Sequence, residues 1–119
     1  MNNEELHNHA DKFLRENFGL RLEIPVRISK RMKSKLGAFQ IKIQGRKVVS
    51  QEIVMSHTFI VNNTEETVLD VLRHECVHYA LYTLNKPYRD SDREFIETLE
   101  RLGISKTRTY KYKGQSYLY

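Results

Sequence analysis

The segment Arg73-His74-Glu75-Cys76-Val77-His78 decides how this chain is read. It lies in a stretch whose apolar residues Val68, Leu69, Leu72, Cys76, Tyr79, Ala80 and Leu84 recur at helical spacing. Positions four apart on a helix share one face, so His74 and His78 offer two imidazoles to a single ion. Glu75 projects beside them. Two neutral imidazoles and an adjacent carboxylate are the groups that hold Zn²⁺ and take a proton from water. Random ordering of this composition yields the pattern in roughly 2% of chains, so the helical setting counts as much as the residue types.

The helix around this segment is expected from Thr64 to about Leu84, with Asn63 and Glu66 as a capping-box-like start and Asn85 and Pro87 as its stop. Val71, His74, Glu75 and His78 then face a cleft while the apolar stripe faces the core. Cys76 falls on the apolar side and reads as a small buried hydrophobe rather than a fourth ligand. A second helix is expected from Asp92 to Leu102, with Ser91 and Glu94 as a capping box, Phe95, Leu99 and Leu102 as its stripe, and Gly103 as its end. The tail from Thr107 to Tyr119 alternates tyrosine and lysine and reads as a final hairpin or a frayed end.

Upstream, Leu6, Ala10, Phe13, Leu14 and Phe18 predict an N-terminal helix over 3–18, with Asn3 as cap and Gly19 past its end. His7 and His9 in it read as surface side chains. Ile24–Ile28, Phe39–Ile43, Ile53–Met55 and Phe59–Val61 are short β-like runs, which suggests an antiparallel sheet of about three strands. The expected fold is therefore α+β: an N-terminal helix, a small antiparallel sheet, the histidine helix and a C-terminal helix, as one domain over 1–119.

The chain has 119 residues, a net charge of +5 and one cysteine. No apolar run approaches a membrane span, and the acidic start is unlike a secretory signal, so the expected location is the cytoplasm. A lone cysteine makes no internal disulfide, which agrees. The positive charge leans towards a polyanion. Lys30, Arg31, Lys33 and Lys35 cluster between the first two strands, as a solvated loop or a phosphate-contacting one.

Hydrolytic zinc keeps three protein ligands and one open position, so a third donor is needed. The candidates are Asp90, Asp92, Glu94 and His57. Asp92 stands at the start of the second helix, where packing against the first brings it near the histidines; the same position also suits a plain dipole partner.

The chain resembles the SprT-like family of zinc metalloprotease domains, with a gluzincin-like core. The resemblance rests on Leu36-Gly37, Glu52-Ile53-Val54-Met55-Ser56, the run from Glu66 to His78, Lys86-Pro87-Tyr88, Phe95 and Arg101-Leu102-Gly103-Ile104-Ser105, and covers roughly 5–107. It implies His74 and His78 as metal ligands, Glu75 as catalytic base and Zn²⁺ as cofactor. It further implies a protein or peptide substrate, with DNA nearby in some relatives. Where the family places a histidine as third ligand, this chain reads Asp90-Ser91-Asp92-Arg93-Glu94-Phe95; the resemblance puts Asp92 at that position, and a shift of one or two residues chooses Ser91 or Asp90 instead. Tyr88 or a tail tyrosine is a candidate for oxyanion stabilisation. A cysteine-bearing zinc ribbon is not expected. The chain is expected to act as a monomer, away from membranes. The rival expectation is a non-catalytic DNA- or protein-binding module with a structural or lost metal site.

Overall fold

Asn2 and Glu5 exchange side-chain and main-chain hydrogen bonds, a capping box that starts helix α1 (Asn3–Phe18). The computed structural model describes residues 1–106, 109–112 and 115–118, with side chains described through Lys106. Asn3, expected as the cap, is the first helical residue, and its side chain accepts a hydrogen bond from the Ile28 N–H at 3.2 Å. Gly19, at φ 65°, ends the helix in the left-handed conformation that favours glycine. Leu6, Ala10 and Leu14 bury in one core with Val68, Leu69 and Leu72, each leucine contributing roughly 1.5–3 kcal/mol.

The sheet is mixed rather than antiparallel. Strands β1 (Val26–Ser29), β2 (Gly37–Gln44) and β3 (Lys47–Ser56) lie in the order β1-β3-β2. β2 pairs antiparallel with β3 through a tight hairpin, whereas β1 pairs parallel with β3. The cause is the link over 30–36, which crosses the end of β3 and starts β2 on its far side. Two hydrogen bonds pin that crossing: Ser56 N–H to the Leu36 carbonyl at 2.9 Å, and Ser56 Oγ–H to the Met32 carbonyl at 3.3 Å. β2 must then run back against β1, and the hairpin returns β3 between them, parallel to β1. The first strand also begins later than its apolar run, at Val26, just past Pro25.

Phe59-Ile60-Val61, expected as a strand, lies instead in a short helix α2 (His57–Asn62). Ser56 caps it by accepting from the Phe59 N–H at 3.3 Å. Phe59 and Ile60 both bury, as they would in a strand, so periodicity could not separate the two states over three residues.

Helix α3 (Glu65–Thr83) is capped by Thr64 rather than Asn63, through Thr64 Oγ1 and the Thr67 N–H at 3.2 Å. It is the central element. From Val68 to Leu81 only Asp70 and Arg73 escape full burial, because α1, the sheet and α4 (Arg93–Leu102) cover different faces. Phe95 and Leu99 of α4 pack with Val77, Leu81 and Ile104. The expected capping box of Ser91 and Glu94 is not made; Asp92 stands at the N-cap position without capping through its side chain. At the other end Gly103 takes φ 68°, and the Ile104 N–H reaches the Leu99 carbonyl at 2.9 Å, a Schellman turn that sends Ser105 back towards α3.

The tail forms a hairpin of β4 (Thr109–Tyr112) and β5 (Gln115–Leu118), paired antiparallel. The tail tyrosines considered for the oxyanion lie outside the residues whose side chains are described. Among the described residues no helix is long and apolar enough to cross a membrane.

Candidate metal centre

Helix α3 presents the imidazoles of His74 and His78 side by side, ring centroids 5.1 Å apart. The link from α3 to α4 brings Asp90 to them, with Asp90 Oδ1 at 3.1 Å from His78 Nε2 and 3.5 Å from His74 Nε2. One ligand atom from each of the three residues lies within 4.8 Å of the others. The gathered carboxylate is thus Asp90. Asp92, which the sequence reading placed here, directs Oδ2 to the Arg89 N–H at 2.9 Å. Of the other candidates, Glu94 pairs with Lys86 at 3.4 Å, and His57 opens α2 outside the gathered set.

Each ring is held from behind. His74 Nδ1 donates to the Ser105 carbonyl at 3.2 Å, and His78 Nδ1 donates to the Tyr88 carbonyl. A carbonyl only accepts, so each Nδ1 carries a proton and the neutral ring turns an Nε2 lone pair towards Asp90. Phe95 sets the ring planes. It stacks on His78 at 3.9 Å between centroids and 14° between planes, and meets His74 edge-on at 5.2 Å and 80°.

Three electron-pair donors facing one point need positive charge between them. Burial works against charge on His78, yet the Asp90 hydrogen bond, the neighbouring Glu75 and the Tyr88 carbonyl outweigh it and raise its pKa. Once protonated at Nε2 as well, His74 and His78 donate to Asp90, and these hydrogen bonds hold its carboxyl well below the usual carboxylate range. A divalent ion meets the same demand. Tetrahedral donors about 2.0–2.1 Å from zinc stand about 3.3 Å apart. The separations of 3.1 and 3.5 Å bracket that spacing. The residues fit a metal ion.

Glu75, in contrast, lies outside the three gathered donors but next to them on α3. It is buried, and its Oε2 has no hydrogen-bond partner among the described residues. Burial raises its pKa, with Asp90 adding to the rise and the two histidines and Lys35 opposing it. Such a carboxyl suits a group that takes up and returns a proton. β2 closes over it at Gly37. A Cβ there would stand 2.9 Å from Met55 Sδ, 3.2 Å from Val71 Cγ1 and 3.3 Å from Glu75 Cγ, so the strand sits this close only for lack of a side chain.

Cys76 is buried and free, on the core side of α3, with its thiol pushed up by burial, as a structural hydrophobe would be. Tyr88 contributes its carbonyl to His78, while its ring packs with Phe39 and Tyr82 and under the Arg89 guanidinium, 5.5 Å from the centroid. The Ser105 and Tyr88 carbonyls were invisible in the sequence, because every residue carries one. Gly37 left a trace in the Leu36-Gly37 pair.

An α+β fold with two helical histidines, an aspartate and a buried glutamate defines a candidate metal centre of the H-E-x-x-H class. The SprT-like family profile matches residues 3–112, and the chain belongs to the SprT-like family. It is 21% identical over 123 residues to Protein SprT-like of Bacillus velezensis, covering all of this chain and 78% of that one. It is 25% identical over 103 residues to the protein of that name from Staphylococcus aureus, covering 87% of this chain and 64% of that one. A match of 50% over 38 residues to the Streptococcus gordonii protein covers 32% of this chain and 26% of the other. No solved structure matches the chain.

Proposed function

We propose that this protein is a zinc-dependent peptidase, with His74, His78 and Asp90 holding the metal and Glu75 as general base. The observation that carries this reading is the convergence of three donor atoms within 4.8 Å beside a buried glutamate. When bound, the metal ion supplies Lewis acidity, acidifying water and polarising a peptide carbonyl. Glu75 accepts the proton of the attacking water and hands it to the departing amine nitrogen as the C–N bond breaks. Burial, the main cause, raises its pKa above the usual carboxylate range, which makes it a stronger base towards that proton. Asp90 would hold the ion with a negatively charged oxygen and so lower the net charge of the metal together with its ligands. An oxygen donor in place of a third histidine also widens the range of divalent ions that bind.

The purified chain is expected to hold about one zinc ion, and to cleave an unfolded protein substrate in a reaction stopped by chelation and restored by Zn²⁺. Cleavage that persists after complete metal removal would rule the mechanism out. A protein that binds metal, cleaves nothing and retains DNA is instead the binding module.

DNA close to the site is part of the proposal. Lys30, Arg31, Lys33 and Lys35 are all exposed, on a loop fixed at one end by Ser29 Oγ, which accepts from the Arg31 and Met32 N–H groups at 3.2 Å. At the other end Leu36 is buried and Gly37 abuts Glu75. The loop therefore leads up to Glu75, and Lys35 is close enough for its charge to act on that carboxyl. Neutralising all four residues should weaken DNA binding at every sequence. It should also flatten the dependence of log K on log salt by about one for each phosphate that is no longer neutralised. Fluorescence anisotropy over a salt series measures both, and an unchanged slope would remove DNA from the proposal.

A further inference from the structure

Each histidine is gripped through a main-chain carbonyl, and each of those carbonyls belongs to a segment tied down by a carboxylate. On one side Asp70 Oδ1 accepts from the Ser105 N–H at 3.2 Å, and the Ser105 carbonyl accepts from His74 Nδ1 at 3.2 Å. Asp70 and His74 are four apart on α3, so Ser105 lies along one helix face with its N–H on the first and its C=O on the second. On the other side Asp92 Oδ2 accepts from the Arg89 N–H at 2.9 Å, and the Tyr88 carbonyl accepts from His78 Nδ1. The Tyr88 carbonyl and the Arg89 N–H are the two ends of one peptide unit.

We propose that Asp70 and Asp92 are paired positioning residues, the first holding His74 through Ser105 and the second holding His78 through the Tyr88–Arg89 peptide. This rests on the metal-centre reading for its purpose, but the hydrogen-bonded geometry stands apart from any metal. The two relays differ in kind. Asp92 acts along a single peptide, so its charge polarises the carbonyl that His78 touches and makes that ring's Nε2 a better electron-pair donor. Asp70 touches a neighbouring peptide and works by fixing where Ser105 sits. Helix α4 unites the two: the link before it carries Tyr88 and Arg89, the turn after it carries Ser105, and Phe95 on it packs against both rings.

The relays are separable by experiment, because each carboxylate answers to one histidine. In the metal-free full chain, long-range ¹H–¹⁵N spectra above the imidazole titration report the Nδ1–H fraction of each ring. Asp70→Ala is expected to lower that fraction for His74 and leave His78 alone, and Asp92→Ala to do the reverse. Asp70→Asn and Asp92→Asn keep an acceptor oxygen and should restore the wild-type ring states. In a parallel Co²⁺ titration each alanine variant should bind about 10-fold more weakly, the asparagine variants recovering most of that loss. Folded alanine variants with both rings unchanged would overturn the proposal, as would variants that disturb both rings alike. Should an alanine variant fail to fold, amide exchange in the wild type decides: free-peptide rates at Ser105 or Arg89 overturn the relay there, and protection upholds it. Ring effects of the expected kind without Co²⁺ binding in any form would uphold the positioning role and sink the metal centre.

Discussion

Glu75→Gln is expected to keep the metal and to lower peptide cleavage by about two to four orders of magnitude, the range for removing a positioned acid–base group. The metal should stay because the gathered donors are His74, His78 and Asp90, without Glu75. Glutamine matches glutamate in shape, so the close approach of Gly37 and the packing of Val71 and Met55 are preserved. What is lost is the basic oxygen. The amide cannot take a proton from water, nor return one to the amine. The fold should not suffer, since a buried carboxyl without a partner for Oε2 costs desolvation that a neutral amide partly avoids. Metal analysis, thermal unfolding and a cleavage assay on the same preparation make the check. A Glu75→Gln protein that cleaves as fast as wild type would remove Glu75 from the mechanism, and one that loses its metal would make it a ligand.

The second large effect is expected at Asp90. Asp90→Ala removes one of three donor atoms and leaves two histidines without their counter-charge. The loss of metal affinity should exceed the roughly 10–100-fold that outer partners of a ligand contribute. Asp92→Ala should fall inside that range, and Asp92→Asn should lie near wild type, because an amide oxygen still accepts from the Arg89 N–H. A metal-free readout comes with it. The hydrogen bond to Asp90 is the main influence raising the His78 pKa against burial, so in Asp90→Ala that histidine should titrate at lower pH, measurable by NMR. Titrating the variants side by side with zinc is decisive: a larger loss at Asp92 than at Asp90 would return the ligand to the helix start and refute Asp90 as the third donor.

Much of the site was legible because it is local. His74, Glu75 and His78 sit within five residues of one helix, and helical geometry alone places two imidazoles together and a carboxylate beside them. Helices α1, α3 and α4 were legible for the same reason, since apolar stripes and the glycines at 19 and 103 act within a turn of where they stand, although each expected N-cap lay one residue from the actual one. Cys76 could be assigned to the core from its place on the apolar stripe.

What needed the tertiary structure is non-local or carried by the main chain. Whether Phe59-Ile60-Val61 was strand or helix turned on Ser56, whose hydroxyl caps α2 while the strand it ends is already paired. The direction of β1 was set by the link crossing the end of β3, a path that no periodicity records. The choice between Asp90 and Asp92 was set by how the link from α3 enters α4. Both aspartates serve the histidines, one facing them directly and one behind the peptide that holds His78. Sequence named the residue types the chemistry needs, because type and helical spacing are local properties. Which carboxylate reaches the histidines, and which carbonyls hold their rings, depended on packing α4 against α3, because a side chain's reach is set by the backbone path that carries it.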